Sequence, residues 1–367
     1  CSSSLVAAHQ ALQSLRSGDC DTAIVAGVNL MLTPTGFVGM GQAGMLSPDG
    51  KCFVFDQRAN GMVPGEAVAV VVLKRLSQAE SDKDPIHAII RASGVNYDGR
   101  TNGITAPSGV AQAELLKSVY DLSGIQPDAI DYVVTHGTGT KLGDPVEMNA
   151  LSEVFKEYTT KQGFCAVTST KSNLGHTFAA SGLVSMISLV ESIKNGVIPP
   201  SLHCDRENDY IQWKDSPFYV NKVPKLWSKR SGSERLGAVS AFGMSGTNAH
   251  MLIEGYCSPS NRPADPLPCY ILPLSAKTSE ALKNRVADML EALDGGKIHE
   301  ADISSLAYTL QEGRHHFSYR AVIVIESLKH AKDLWGAFMR GEMRPNSVSG
   351  QVTREFVSKK PIERVVK

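Results

Sequence analysis

The sequence predicts a layered α/β fold, on three observations. Residues 67–73 read Ala-Val-Ala-Val-Val-Val-Leu, a nearly continuous β-branched run of the kind that forms a strand buried on both faces. The runs at 130–135 and 166–170 are each followed by a polar, glycine-containing loop and then by a helical pattern. Each of these strand–loop–helix units places a histidine, His136 or His176, beyond the strand's carboxyl end, the edge where layered α/β folds assemble their sites.

The other elements follow in order. Leu5, Ala8, Leu12 and Leu15 recur at helical spacing, with Gly18 as a stop. Residues 22–29 form a short apolar run that reads as a buried strand, and 86–95 as a further strand. Residues 31–62, rich in Gly, Pro and Met, are expected to form a long ordered loop, a length that is usually functional. Helices are expected at 109–123, 145–158 and 179–194. Residues 199–232 look irregular apart from a strand at 218–223. A strand at 235–241 then enters the Gly-rich turn Phe242-Gly-Met-Ser-Gly-Thr-Asn-Ala-His250, and 251–254 returns as its partner.

Four prolines between Ser258 and Pro268 mark a domain boundary, giving a first domain at 1–257 and a linker at 258–268. Beyond it, a strand near Ile271, helices at 279–293 and 302–311, a strand at 319–325 and a helix at 328–339 make a small α/β unit at 269–340. The basic tail at 341–367 has no assigned structure.

Composition narrows the function. A chain of 367 residues with 42% hydrophobic and 20% charged residues is an ordinary globular protein of about two domains. Thirty-seven basic residues balance 37 acidic ones, so nothing suggests a nucleic-acid partner. No signal peptide and no apolar run of about 18 residues appears, so no membrane span is expected. The seven cysteines, at 1, 20, 52, 165, 204, 257 and 269, include no C-x-x-C pair. Neither a disulfide framework nor a metal site is suggested, and a reducing cytoplasm is the natural setting.

Cys1 directly precedes the first helix. A thiol there meets unpaired backbone N–H groups and a dipole that favours its thiolate. Alone, Cys1 reads equally as a small packing residue, and His136 as a structural histidine. The Lys171-Ser-Asn-Leu-Gly-His176 loop alone could bind an anion.

Together, Cys1-Ser-Ser-Ser, His136-Gly-Thr-Gly-Thr-Lys-Leu-Gly-Asp-Pro-Val-Glu147, Lys171-Ser-Asn-Leu-Gly-His176 and the turn at 243–247 resemble the ketosynthases, the decarboxylating condensing enzymes of fatty-acid and polyketide synthesis. The likeness covers residues 1–255. It implies the thiolase fold, two similar α/β halves in a five-layer αβαβα sandwich, with this chain starting at the nucleophile and lacking most of the first half. A piece of that kind is not expected to fold alone as an active enzyme.

The resemblance makes Cys1 the acyl-carrying nucleophile and makes His136 and His176 the groups that serve decarboxylation. Lys171 and Glu147, which lies eleven residues after His136, become an orienting ion pair. The backbone N–H groups of Cys1 and Met244 become an oxyanion hole, and Phe242, Gly243, Thr138 and Thr140 line the substrate pocket. Met244 stands where the family often has an aromatic gate, and its flexibility suggests a permissive pocket.

The chemistry agrees with these roles. A cysteine thiol of pKa about 8.5 is mostly protonated at neutral pH, so its surroundings must activate it. Loss of carbon dioxide from a malonyl thioester then develops an enolate oxygen that needs donors already aimed at it, and two neutral imidazoles can supply them.

The wording of these motifs, with Leu272-Pro-Leu-Ser-Ala-Lys-Thr278 after the boundary, looks like a bacterial modular polyketide synthase served by a separate, trans-acting acyltransferase. No G-H-S-x-G acyltransferase elbow occurs in the sequence. The unit at 269–340 is similar to the flanking linker domain of such ketosynthases. The implied partners are acyl carrier protein, malonyl and acyl thioesters, and a second copy as homodimer. No cofactor is expected to bind directly, the phosphopantetheine arm being carried by the carrier protein.

Three rivals remain at this level. An N-terminal-cysteine hydrolase explains Cys1 but neither histidine motif. A thiolase would place a second cysteine where Phe242-Gly-Met244 stands. The third is a non-condensing ketosynthase that only passes chains along; some members of the class lack the first histidine, which is present here.

Overall fold

The computed structural model describes residues 1–103, 105–230, 233–257 and 267–352, in two compact units, Cys1–Ser258 and Pro259–Lys367. In the first unit, α1 (Ser3–Ser17) buries Leu5, Ala8, Leu12 and Leu15 and ends on Gly18 in a left-handed conformation, as its spacing predicts. There follow β1 (Thr22–Asn29), α2 (Thr35–Gln42), β2 (Ala67–Lys74), α3 (Leu76–Ser81) and β3 (Ile89–Tyr97). Next come α4 (Gly109–Ser123), whose first turn is capped by the Ser108 hydroxyl, β4 (Tyr132–Val134) and α5 (Gly143–Tyr158). β5 (Cys165–Thr168), the single turn α6 (Lys171–Leu174), α7 (Ser181–Asn195) and β6 (Val197–Ile198) continue the chain. β7 (Phe218–Val220), β8 (Lys225–Leu226), β9 (Leu236–Phe242) and β10 (Thr247–Glu254) complete the unit.

Six strands form the central sheet in the order β3-β10-β9-β4-β5-β7. β9 and β10 are an antiparallel hairpin, while β9, β4, β5 and β7 run parallel. One face packs on α4 and α5 through Leu116, Tyr120, Met148 and Phe155. The other packs on α1 and α7 through Leu5, Ala8, Leu183 and Leu189. β1 and β2 pair antiparallel on the far side of α1 and α7, with Val25 and Ala69 facing inward. The described residues thus build four layers, αβαβ.

The reading of β1 as a buried strand, and of β2 as buried on both faces, is corrected here. Ile24 faces Val72, Ala26 faces Val70 and Val28 faces Val68, and the Ile and Val side chains of these pairs are 52% to 74% exposed. Alternate residues of the two strands point away from α1 and α7, and among the described residues no further layer covers them. An apolar sheet face with unpaired edges is a site of self-association. Expressed as an isolated polypeptide, the chain is expected to sediment as oligomers, and Val70→Lys with Val72→Lys to shift it towards monomer.

The expected loop at 31–62 also contains α2, whose Gly-rich sequence Thr-Gly-Phe-Val-Gly-Met-Gly-Gln gives little helical signal. Within the stretch at 199–232 read as irregular, the short β8 pairs with β6, which lies just before it.

In the second unit, β11 (Tyr270–Ala276), α8 (Ser279–Asp294), α9 (Ile303–Glu312), β12 (Tyr319–Ile325), α10 (Leu328–Met339) and β13 (Ser347–Gln351) follow in turn. Thr278 and Ser327 hydroxyls cap α8 and α10. The sheet β11-β12-β13 is antiparallel and buries Leu272, Ile323 and Ile325 with Val286 and the fully enclosed Trp335. β13 lies within 341–367, where the sequence assigns no structure, so this unit extends past residue 340. Most of the Pro-rich linker (258–266) and the last residues of the tail (353–367) fall outside the described residues.

Candidate active site

The site forms where α1 begins, at the carboxyl edge of β4 and β5. Cys1 sits at the start of α1, half-buried. The first turn of α1 is bolted to that of α7: the Ser181 hydroxyl donates to the Cys1 carbonyl (3.0 Å), and the Leu183 N–H donates to Ser4 Oγ (3.1 Å). Ser2 makes no side-chain cap on α1. Its hydroxyl donates instead to the Thr247 carbonyl (2.8 Å), which also accepts from the Gly243 N–H (2.7 Å). A Cβ at Gly243 would lie 3.1 Å from Ser2 Oγ and 2.9 Å from that carbonyl. Only glycine lets the β9–β10 turn lie this close to the start of α1.

β4 delivers His136. The Glu147 carboxylate on α5 reaches back to accept the backbone N–H groups of His136 (2.7 Å) and Gly137 (2.8 Å). Asp144, one turn earlier, accepts from Thr138 (3.0 Å), Gly139 (3.1 Å) and Phe55 (2.9 Å). Two buried carboxylates thereby mould the loop after β4. The Ser169 hydroxyl, from the end of β5, donates to the Gly137 carbonyl (2.7 Å). Lys171 donates its Nζ to the His136 carbonyl and lies 3.5 Å from His136 Nδ1.

β5 and α6 deliver His176. Its Nδ1 accepts the Phe178 N–H (3.2 Å), and the Phe178 ring stacks on the imidazole at 4.5 Å. The two imidazoles meet edge to face with centroids 5.5 Å apart. Cys1 Sγ and one nitrogen of each ring lie within 4.8 Å of one another.

A Cys-His-His trio at this spacing would also suit a soft metal ion. The second nitrogens argue against it. A metal-bound histidine donates its other N–H to an acceptor, whereas His176 Nδ1 faces a backbone N–H and His136 Nδ1 faces an ammonium. Both arrangements put the proton on Nε2 and make each ring a hydrogen-bond donor.

Burial holds both imidazoles neutral. It drives His136 and His176 well below the usual histidine pKa, and the Lys171 charge pushes the same way. Nitrogen NMR of histidine-labelled protein is expected to show both rings as neutral Nε2–H tautomers across pH 6–8; a midpoint near 6.5 for either would remove it as a preset donor. Burial raises Glu147 and lowers Lys171, and it pushes Asp144 up to about 6 against the pull of its backbone donors.

The structure therefore brings Cys1, His136, His176 and Lys171 together as the sequence predicts. The Lys171–Glu147 ion pair is corrected: among the described residues no oxygen of Glu147 lies within 4.0 Å of the Lys171 nitrogen. The carboxylate is committed to the backbone of His136 and Gly137, and Lys171 to the His136 carbonyl, so the two charges act on each other across that peptide.

Phe242 is buried with its ring 5.9 Å from that of His136. Met244, at the turn, is half-exposed. Thr138 and Thr140 share a hydroxyl contact of 3.0 Å, and Thr140 Oγ1 accepts the Gly143 N–H at the start of α5 (3.2 Å). Sequence reading missed Asp144, Ser169, Phe178 and Ser181. Only Asp144 carried a signal, as an acid three residues before Glu147 in the first turn of a helix.

Comparison with known proteins agrees with this geometry. The β-ketoacyl synthase N-terminal domain family matches residues 1–79, its C-terminal domain family matches 87–205, and the CurL-like polyketide synthase C-terminal family matches 270–334. The chain belongs to the β-ketoacyl synthase family, and its fold is the thiolase fold. Within that family it sits among the ketosynthases of modular polyketide synthases. Polyketide synthase ThaG of Burkholderia thailandensis is 50% identical over 341 residues, which are 91% of this chain and 6% of the relative. Polyketide synthase PksM of Bacillus subtilis is 45% identical over 354 residues, 96% of this chain and 8% of the relative.

Among solved structures, the ketosynthase from module 6 of the Bacillus subtilis bacillaene synthase matches with a TM-score of 0.83 at 42% identity, covering 96% of this chain and 61% of that one. The oxazolomycin ketosynthase domain OzmH KS7 of Streptomyces albus matches with a TM-score of 0.85 at 33% identity, with the same coverages. The chain thus spans about three fifths of the solved ketosynthases and under a tenth of these two curated relatives.

Proposed function

We propose that this chain carries the nucleophile and both imidazole donors of a decarboxylative Claisen condensation in polyketide chain elongation. The observation that carries the reading is the pair of neutral imidazoles, each with its Nδ1 facing a donor, converging on Cys1 at a helix start.

In the first half-reaction, the Cys1 sulfur bonds to the acyl carbonyl carbon, and the carrier thiol leaves with the proton Cys1 gave up. In the second, the malonyl carboxylate leaves as carbon dioxide and its electron pair becomes an enolate. The Nε2–H groups of His136 and His176 stabilise that oxygen. The enolate carbon attacks the acyl carbon, the bond to Cys1 breaks, and one proton from solvent restores the thiol. The N–H groups of Cys1 and Met244 hold the tetrahedral oxyanion, with Phe242, Gly243, Thr138 and Thr140 beside the entering thioester. Lys171 and Glu147 hold the His136 loop and its field rather than moving protons.

The thioesters arrive on the phosphopantetheine arm of an acyl carrier protein, loaded by a separate acyltransferase, in a cytoplasmic, homodimeric synthase. The likeness to the ThaG and PksM polyketide synthases supports this setting, and no helix among the described residues is long and apolar enough to cross a membrane.

The test is release of labelled carbon dioxide from malonyl-carrier protein by acylated full-length synthase. Release that tracks formation of the elongated thioester is expected. An enzyme that acylates but releases none is a transfer module, and the condensation reading falls.

A further inference from the structure

Residues 52–65 run against both histidine loops and hydrogen-bond to each. His176 donates its backbone N–H to the Val63 carbonyl (2.6 Å), and its own carbonyl accepts the Gly65 N–H (2.8 Å). On the other side, the Gly61 N–H donates to the Gly139 carbonyl (3.2 Å), and Phe55 shares the Asp144 carboxylate with Thr138 and Gly139. One strap therefore fixes the loop that ends in His176 relative to the loop that begins with His136.

The strap is closed on itself by a thiol. Val63 N–H donates to Cys52 Sγ at 3.1 Å, and Cys52 is buried. Val63 thus hangs from Cys52 on its amide side and holds His176 on its carbonyl side. Burial pushes the Cys52 thiol up, so it stays protonated and does not compete with Cys1 for acyl groups. At the far end, a Cβ on Gly65 would run into the Leu174 carbonyl oxygen, two residues before His176. No rotamer change relieves a clash with backbone, so any side chain at 65 must displace the His176 loop.

We propose that Cys52 and Gly65 are positioning residues for His176: through the Val63 amide and the close approach to Leu174, they set the separation of the two imidazole donors. The inference rests on the decarboxylating role given to those imidazoles above.

The full-length synthase polypeptide is assayed in two half-reactions, acylation of Cys1 by intact mass and carbon dioxide release from malonyl-carrier protein. Cys52→Ala is expected to slow release about tenfold with acylation within about twofold, since misplacement of about 1 Å costs up to about 100-fold. Cys52→Ser, whose oxygen can accept the Val63 N–H, is expected to recover most of that loss. Gly65→Ala is expected to cost about 100-fold in release. It also carries the test alone if the alanine at 52 does not fold, as judged by thermal melting. Equal losses in both half-reactions, or unchanged release in folded Cys52→Ala and Gly65→Ala, overturns the inference. A wild-type enzyme that acylates without releasing carbon dioxide is a distinct result, which removes the proposed function and this inference with it.

Discussion

Cys1→Ala is expected to abolish acyl transfer, whereas His136→Ala is expected to leave Cys1 able to take an acyl group and to lower carbon dioxide release by at least ~10²–10³. The two variants separate because the structure gives the residues different jobs. Cys1 lies at the start of a helix whose first turn carries no side-chain cap. Its activation draws on the backbone and the helix dipole, which His136→Ala leaves in place. The His136 ring is a half-buried neutral donor beside the sulfur. Removing it deletes one of two stabilising hydrogen bonds to the enolate and lets in water that cannot be preorganised the same way. Intact-protein mass after incubation with an acyl thioester reports the first half-reaction, and labelled carbon dioxide the second. A His136→Ala protein that fails to acylate would show that the imidazole is needed to activate the thiol, and the division of roles would be wrong.

What the sequence made legible was whatever has a period or a fixed chemical partner. Helix α1, with its apolar spacing and Gly18 stop, and the strand-end histidines are local patterns, and the structure keeps them. The alternating apolar residues of β1 and β2 read as core because an apolar run looks the same whether or not a layer covers it. The family resemblance paired Glu147 with Lys171, but it does not say that both carboxylate oxygens would be spent on the amides of His136 and Gly137. The sequence marks 31–62 as a functional loop but does not say what it holds: apart from Cys52 Sγ, the strap at 52–65 works through main-chain groups, which side-chain identity hardly encodes. β13, Ser-Val-Ser-Gly-Gln, has one β-branched residue and exists because the edge of β12 pairs it.

Glu147→Ala is expected to be the most destabilising single change near the site, by about 3–5 kcal/mol in urea unfolding. Two separable costs are involved. The first is charge: Lys171 is buried and already lowered by burial, and Glu147 is the largest influence holding it up. The second is hydrogen bonding: the amides of His136 and Gly137 lose their acceptors in a buried place, at about 1–3 kcal/mol each.

The variant Lys171→Met in the Glu147→Ala background tells them apart. A direct buried ion pair would make the double variant nearly as stable as wild type, because no charge is left uncompensated. The observed geometry predicts otherwise: the unpaired amides remain, and the double variant stays destabilised by about 2 kcal/mol or more. Gln at 147 is intermediate, since its amide can accept from one of the two N–H groups but presents donors to the other.

The charge component has a pH signature. Without Glu147, the folded-state pKa of Lys171 falls further below its unfolded value. Between those two values the unfolded chain binds more protons, so stability rises with pH. Wild-type Lys171 is itself lowered to about 8, so the deficit of Glu147→Ala relative to wild type is expected to shrink from pH 7 to about pH 8, by at most ~1.4 kcal/mol per unit, and then to level off, while that of the double variant, which lacks the group, does not shrink. A Glu147→Ala deficit that does not shrink over that interval would mean that Lys171 contributes only its hydrogen bond to His136, and that the loop is held by Glu147 through the backbone alone.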